Sequence, residues 1–247
     1  MRRLTIALVL AVLGFEPAPA QQRAAGGFFF AYAPHDRAMF EAGYRRHLEW
    51  HRAAGDSLAW FGWDVLVGPR PDVFVDGVFG TPFQALDVRV DPAGDQADAA
   101  VNVLAHAESV AREMVSLRRE LSSATPLEDG MPTTFVEVVW YEVMPGKADA
   151  FETTLSAIVR QASGRELLPY TIYERTAGAE PGFVLMVWRT RLSSFDEHDR
   201  SPRQTIDRIL DASSEAGTSA SIVRSSRSEV WLFRRDLTYL GSRGEER

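Results

Sequence analysis

His47 and His51 are the only two imidazoles of the chain placed one helical turn apart, with Tyr44 about a turn earlier in Tyr44-Arg-Arg-His-Leu-Glu-Trp-His51. Spacing of i, i+4 lets two rings converge on one metal, haem or substrate. The order is not His-Glu-x-x-His, because Glu49 falls away from both rings, and no third ligand stands out. No dedicated metal site is therefore expected. A general base for a substrate proton is one use of the pair. A haem ligand from His47, His51 or His106 is another, and otherwise no cofactor is expected. Against both stands a plain reading, in which the lower end of a helix leaves the core and its histidines are solvated and favoured by the helix dipole. His198 lies in the polar stretch Asp196-Glu-His-Asp199. Trp60, Trp63 and Phe79, with Tyr44, belong to an aromatic-rich first half that either fills a core or lines an apolar pocket. Serine nucleophile elbows, glycine-rich phosphate loops and paired catalytic carboxylates are absent as motifs.

The element that must position the histidines is a helix from Asp36, a plausible N-cap, to about Ala54, where Gly55 stops it. Its stripe is Phe40, Tyr44, His47, Leu48, His51, one face of a 3.6-residue period. A second helix, Ala148 to about Ser163, carries Phe151, Leu155, Ile158, Val159 and Ala162 at a constant offset of 111. His47 and His51 thus stand where the other copy has Ile158 and Ala162. Burying a polar ring without partners costs a few kcal/mol, so two such replacements on one face need a reason.

The duplication shows again in Glu113-Met-Val-Ser-Leu-Arg-Arg-Glu-Leu-Ser122 and Glu229-Val-Trp-Leu-Phe-Arg-Arg-Asp-Leu-Thr238, 116 residues apart. Strands are expected at Phe28–Tyr32, Trp60–Val67, Val73–Phe79 and from Glu113. A loop or extended insertion is expected at Leu86–Asp95, and a helix at Gln96–Arg112. The second copy reads as strands Phe135–Val143, Tyr170–Thr176, Phe183–Thr190 and Glu229–Phe233, with its second helix at Pro202–Ala216. Each copy is β-α-β-β-α-β, the ferredoxin-like pattern. The expected fold is α+β: unit 1 at 27–121, a linker at 122–132, unit 2 at 133–240 and a disordered tail at 241–247. The repeated arginine pairs (Arg118, Arg119; Arg234, Arg235) suggest a salt-bridged contact across a pseudo-dimer.

Tyr141-Glu-Val-Met-Pro-Gly-Lys-Ala-Asp-Ala-Phe151, with the hairpin ending Val187-Trp-Arg-Thr-Arg-Leu-Ser-Ser-Phe-Asp-Glu-His198, resembles the dimeric α+β barrel superfamily. The likeness is to its NIPSNAP-like and antibiotic-biosynthesis-monooxygenase-like branch. It covers about 100 residues of the second copy well and the first copy more loosely. The resemblance implies a pseudo-dimeric barrel closed within one chain. It also implies ligand pockets between sheet and helices, in a superfamily holding cofactor-free oxygenases, haem-handling proteins and isomerases. Fold alone does not choose among these.

Residues 1–20 have the form of a signal peptide: Arg2 and Arg3, an apolar run to Phe15, and Ala18-Pro-Ala20. Export to the periplasm or medium is expected, with cleavage near Ala20 unless the leader is kept as an anchor. There are no cysteines, hence no disulfides. A net charge of −7 with scattered basic residues argues against nucleic-acid or membrane partners; further oligomerisation stays open. The expected function is binding of a small apolar or aromatic molecule in unit 1. The alternatives are an oxygenase-type or haem-handling enzyme using His47 and His51, and a structural barrel with no ligand.

Overall fold

The computed structural model describes residues 25–130, 132–162, 166–178, 180–215 and 221–241. The expected leader, and the tail beyond 241, lie outside them. Among the described residues are strands β1 (Gly26–Pro34), β2 (Phe61–Val67), β3 (Phe74–Thr81), β4 (Ala107–Leu117), β5 (Phe135–Val143), β6 (Tyr170–Ala177), β7 (Gly182–Arg189) and β8 (Val223–Phe233). The helices are α1 (Arg37–Ala53), α2 (Gln84–Asp87), α3 (Pro92–Asn102), α4 (Ala148–Ala162) and α5 (Pro202–Glu215). The strands close a barrel in the order β1-β3-β2-β8-β5-β7-β6-β4, and every neighbouring pair is antiparallel. Within each half the order is fourth-first-third-second, so the chain is two tandem ferredoxin-like units forming a pseudo-dimeric α+β barrel.

Strand periodicity sorts the side chains. Val138 and Trp140 point inward with Phe29, Trp63, Val75, Phe79 and Trp231. Val139 and Tyr141 point outward, into a layer with Phe151, Leu155, Ile158 and Ile206 beneath α4 and α5. In the first half the outer layer is Tyr32, Phe40, Tyr44, Trp60, Phe74 and Val78 beneath α1.

Several expected elements are corrected. The helix expected at Gln96–Arg112 is α3, ending at Asn102, followed by β4 from Ala107. Ala107–Leu117 is rich in helix formers, but it pairs with β1 from Pro34↔Ala107 to Gly26↔Ser116 and also with β6, and tertiary pairing overrides propensity. Strand β8 likewise starts at Val223, because it pairs with β5 from Val143↔Val223 onward. The expected insertion at Leu86–Asp95 holds the end of α2 and the first turn of α3. There the Asp91 side chain accepts from the Gly94 amide at 3.0 Å and Pro92 opens the helix. On α4, Val159 is 36 % exposed, so that stripe is narrower than its counterpart, where Leu48 is buried; the side chain of Ala162 lies outside the described residues.

The arginine repeat holds the halves together reciprocally. Arg118, after β4, reaches Glu152 on α4 of the other half at 2.5 and 2.9 Å, and Glu174 at 3.0 Å. Arg234, after β8, reaches back to Glu41 on α1 at 2.8 and 3.0 Å and to Asp64 at 2.7 Å. The Arg234 hydrogen bonds lead in lowering the Glu41 pKa to about 2. Its partially buried, multidentate geometry makes Arg234 more than a surface pair. Arg234→Gln is expected to lower the urea midpoint by an amount equivalent to about 1–3 kcal/mol with an unchanged m-value. Unfolding should remain a single transition, because both clamps join the two halves; separate transitions would contradict the clamp.

Candidate functional site

His47 and His51 face α3 at the lower end of α1, and both are buried, at 7 % and 2 % exposure. Helix α3 has no buried residue. It meets α1 through a polar stripe of Asp95, Asp98 and Asn102, residues that share a helix face by their i, i+3, i+7 spacing. The second half fills its helix layer with Ile206, Ile209 and Leu210 of α5, under an α4 carrying Ile158. Gly43 permits the close approach of α1 and α3: a Cβ there would lie 1.9 Å from the Asn102 carbonyl oxygen. Arg46 Nε then donates to Asn102 Oδ1 at 2.9 Å.

Each imidazole is oriented by its own carboxylate. His47 Nδ1 lies 2.8 Å from Asp98 Oδ1, and His51 Nδ1 lies 2.8 Å from Asp56 Oδ2. Both carboxylates are held in turn. Asp98 Oδ2 accepts from Asn102 Nδ2 at 3.0 Å, while Asp56 accepts from the Leu58 amide at 2.9 Å and from Trp60 Nε1 at 3.0 Å. Burial by itself would raise the Asp56 carboxyl, but the hydrogen bonds from His51, Leu58 and Trp60 prevail and hold it below its ordinary value. A carboxylate only accepts, so the network assigns the proton of each ring to Nδ1. Both Nε2 atoms then offer lone pairs, and they face each other at 3.3 Å. Asp95 Oδ1 completes the triangle, 3.5 Å from His47 Nε2 and 3.7 Å from His51 Nε2.

Three acceptors at these distances repel unless a cation lies among them. An ion ~2.1 Å from each atom sets ligand–ligand edges of roughly 3.4 Å when tetrahedral and roughly 3.0 Å when octahedral. Two imidazoles and a carboxylate are donors for a divalent first-row ion, and ring N–H groups fixed by carboxylates are the usual outer support of such ligands. Burial, followed by repulsion from His51, lowers the His47 pKa despite Asp98 and Asp95, which favours the neutral, ligating form. Asp95 is a third donor atom beside the two rings, on the polar face of α3, where the sequence alone raises an expectation of none.

The aromatic residues expected to share a pocket are divided by the sheet. Tyr44 and Trp60 lie in the outer layer beneath α1, whereas Trp63 and Phe79 lie inside the barrel. Trp60 does approach the site, its ring 5.0 Å from His51. The described cavities lie elsewhere. One, of about 460 Å³, is lined in the second half by Glu137, Arg189, Phe195, His198 and Arg203. Another, of about 510 Å³, is lined by His35, Arg37, Asp64, Asp72 and Leu232. His198 is exposed and hydrogen-bonds Gln204 at 2.8 Å; His106 is half-buried beside Gly43. A haem does not fit at the histidine pair: the two Nε2 atoms face each other, and His51 is enclosed by Trp50, Trp60 and Tyr239.

Beside the pair, Tyr44 donates to Asp76 Oδ2 at 2.7 Å, while Asp76 Oδ1 is buried without a partner. Burial, resisted by the Tyr44 hydrogen bond, raises the Asp76 pKa to about 7. The unfolded carboxyl titrates near ~4, so the native state holds the extra proton between that pH and about 7. This contribution to stability is full below pH ~4 and is lost as pH rises through about 7. Asp76→Asn is expected to stabilise the protein by about 1–3 kcal/mol at pH 8, with the gain shrinking toward pH ~4 in urea melts. A gain independent of pH would contradict the titration.

No protein-family profile matches the chain, and no curated protein matches it. Solved structures do share its fold. An anthrone oxidase-like protein superposes with a TM-score of 0.57 at 9% identity, covering 89% of this chain and 94% of that one. A candidate monooxygenase from Lactobacillus acidophilus gives 0.56 at 12% identity, over 88% and 97%. The chlorite dismutase of Candidatus Nitrospira defluvii, in complex with imidazole, gives 0.54 at 10% identity, over 86% and 92%. The architecture is therefore that of the dimeric α+β barrels, and identities this low carry the fold alone.

Proposed function

We propose that the protein is a metal-dependent binder or catalyst acting on a small oxygen- or nitrogen-donor molecule, with a divalent first-row transition ion held by His47, His51 and Asp95. The observation that carries this reading is the convergence of two Nε2 lone pairs and a carboxylate oxygen, each 3.3–3.7 Å from the others. Asp98 and Asp56 fix the rings so that Nε2, and not Nδ1, faces the ion. Three protein ligands leave positions for water or a substrate atom, as catalytic sites do. Asp95 is the most exposed of the three, so those positions open on its side. When bound, the ion would polarise that ligand as a Lewis acid. Solved folds of this shape that include a candidate monooxygenase and a chlorite dismutase make small-molecule chemistry a reasonable setting.

The pair's own geometry favours a second reading. With both Nε2 atoms bare, the dyad could take a substrate proton and hold it across the 3.3 Å between them, a general base needing no cofactor.

Titration with Co²⁺ and Zn²⁺ separates them. The metal reading expects one equivalent of Co²⁺ to give visible d–d absorption that Zn²⁺ displaces. Binding should be abolished in His47→Ala and His51→Ala and strongly reduced in Asp95→Asn. Removing an outer carboxylate, as in Asp98→Asn, should weaken affinity by about 10–100-fold. Affinity should also fall on acidification, as the ligands take up protons. A folded parent that binds neither ion above the level of the double histidine variant would overturn it.

A further inference from the structure

The glutamates that open the two repeats point into the barrel. Glu113 stands opposite Phe29 and Glu229 opposite Val138, both inward residues, and the glutamates are 4 % and 1 % exposed. Alternation of eight antiparallel neighbours makes β2 and β6 parallel, so the β2–β3 and β6–β7 turns lie at one end of the barrel. Three guanidinium groups meet the glutamates there. Arg175 Nε donates to Glu113 Oε2 at 3.1 Å, and Arg227 Nη2 reaches Glu113 Oε1 from across the barrel at 3.4 Å. Arg70, from the β2–β3 turn, grips Glu229 at 2.7 and 2.9 Å.

The set holds three cations against two carboxylates, and it is incompletely paired. Arg175 has a side chain only 4 % exposed, yet its Nη1 is buried with no acceptor; the indole Nε1 of Trp140 is also unpartnered. Arg227 lies 4.4 Å and Arg70 5.7 Å from the centre of that same Trp140 ring. Burial and then the Arg70 charge push Arg227 below the ordinary arginine value, against the pull of Glu113 and Glu229. Buried N–H groups are nearly always satisfied, and an unpaired buried charge is costly. One further negative charge bearing acceptor oxygens would pair with both donors and balance the three cations. Arg227, 39 % exposed, marks the way in.

We infer that this end of the barrel binds a small monovalent oxyanion, of carboxylate or nitrate size, on Arg175 and Arg227, at a site separate from the histidine cluster. Helix α1 runs away from this end, so His47 and His51 lie toward the opposite one. The inference does not depend on metal binding.

The test uses the full chain and follows thermal stability and tryptophan fluorescence with sodium nitrate, acetate and benzoate, against sodium chloride at matched ionic strength. Saturable stabilisation by at least one oxyanion, beyond chloride, is expected. Arg227→Gln should weaken it about tenfold or more, because a charge-assisted hydrogen bond is lost. Glu113→Gln should tighten it, because the competing carboxylate is removed; a purely structural ion network would show no such gain. Saturation by nitrate would point to an inorganic anion, and saturation by carboxylates alone to an organic acid. Circular dichroism establishes that each variant is folded. If Glu113→Gln unfolds, Trp140→Phe replaces it and should weaken saturation in a variant shown to be folded, since it removes the unpartnered indole N–H and part of the ring beside Arg227. A response that never saturates, or that is the same in the parent and Arg227→Gln, would overturn the inference.

Discussion

A four-stranded sheet has two edges, and every unpaired edge presents backbone donors and acceptors that must find partners. In this chain the edges of one half, β2 and β4, are completed by β8 and β6 of the other. Closure is the constraint from which the remainder follows. It turns one face of each sheet into a shared interior and leaves the other face to be covered by that half's own helices. The reciprocal arginines after β4 and β8 then tie each strand end to a helix of the opposite half.

The two helix-covered faces were free to diverge once the barrel closed. The second half kept hydrocarbon between α4, α5 and the sheet, where burial of apolar area supplies the attraction. The first half places imidazoles on α1 and carboxylates on α3, and α3 buries no residue at all. Polar contacts of that kind add little net stability, since each replaces a hydrogen bond to water. Their value lies in geometry. Asp56 and Asp98 decide the tautomers, the tautomers decide where the lone pairs point, and Asp95 brings a charge to the same place.

Much of this was legible in the sequence. The repeats around Glu113 and Glu229 disclosed two copies, and the copies disclosed His47 and His51 as departures from Ile158 and Ala162. Asp95 was not legible, for a traceable reason. The run from Gln96 to Arg112 has the composition of one helix, which places Asp95 in the loop before it. The Asp91 cap and Pro92 start α3 four residues earlier and place Asp95 and Asp98 on one face, while the pairing of β4 with β1 from Ala107 ends it. The division of the aromatics was hidden by parity. Trp60 precedes β2 and bridges to Tyr239, outside the barrel, while Trp63 inside it follows the strand alternation. Which side of a sheet a tryptophan takes depends on a register that composition does not show.

The central claim is that both rings carry their proton on Nδ1 and turn bare Nε2 atoms toward a cation. Long-range ¹H–¹⁵N correlation of the imidazoles, on protein with and without Zn²⁺ at neutral pH, reports this directly. The account predicts Nδ1–H tautomers for His47 and His51 and a zinc-dependent shift confined to their Nε2 nitrogens. An Nε2–H on either ring, unmoved by zinc, would contradict it.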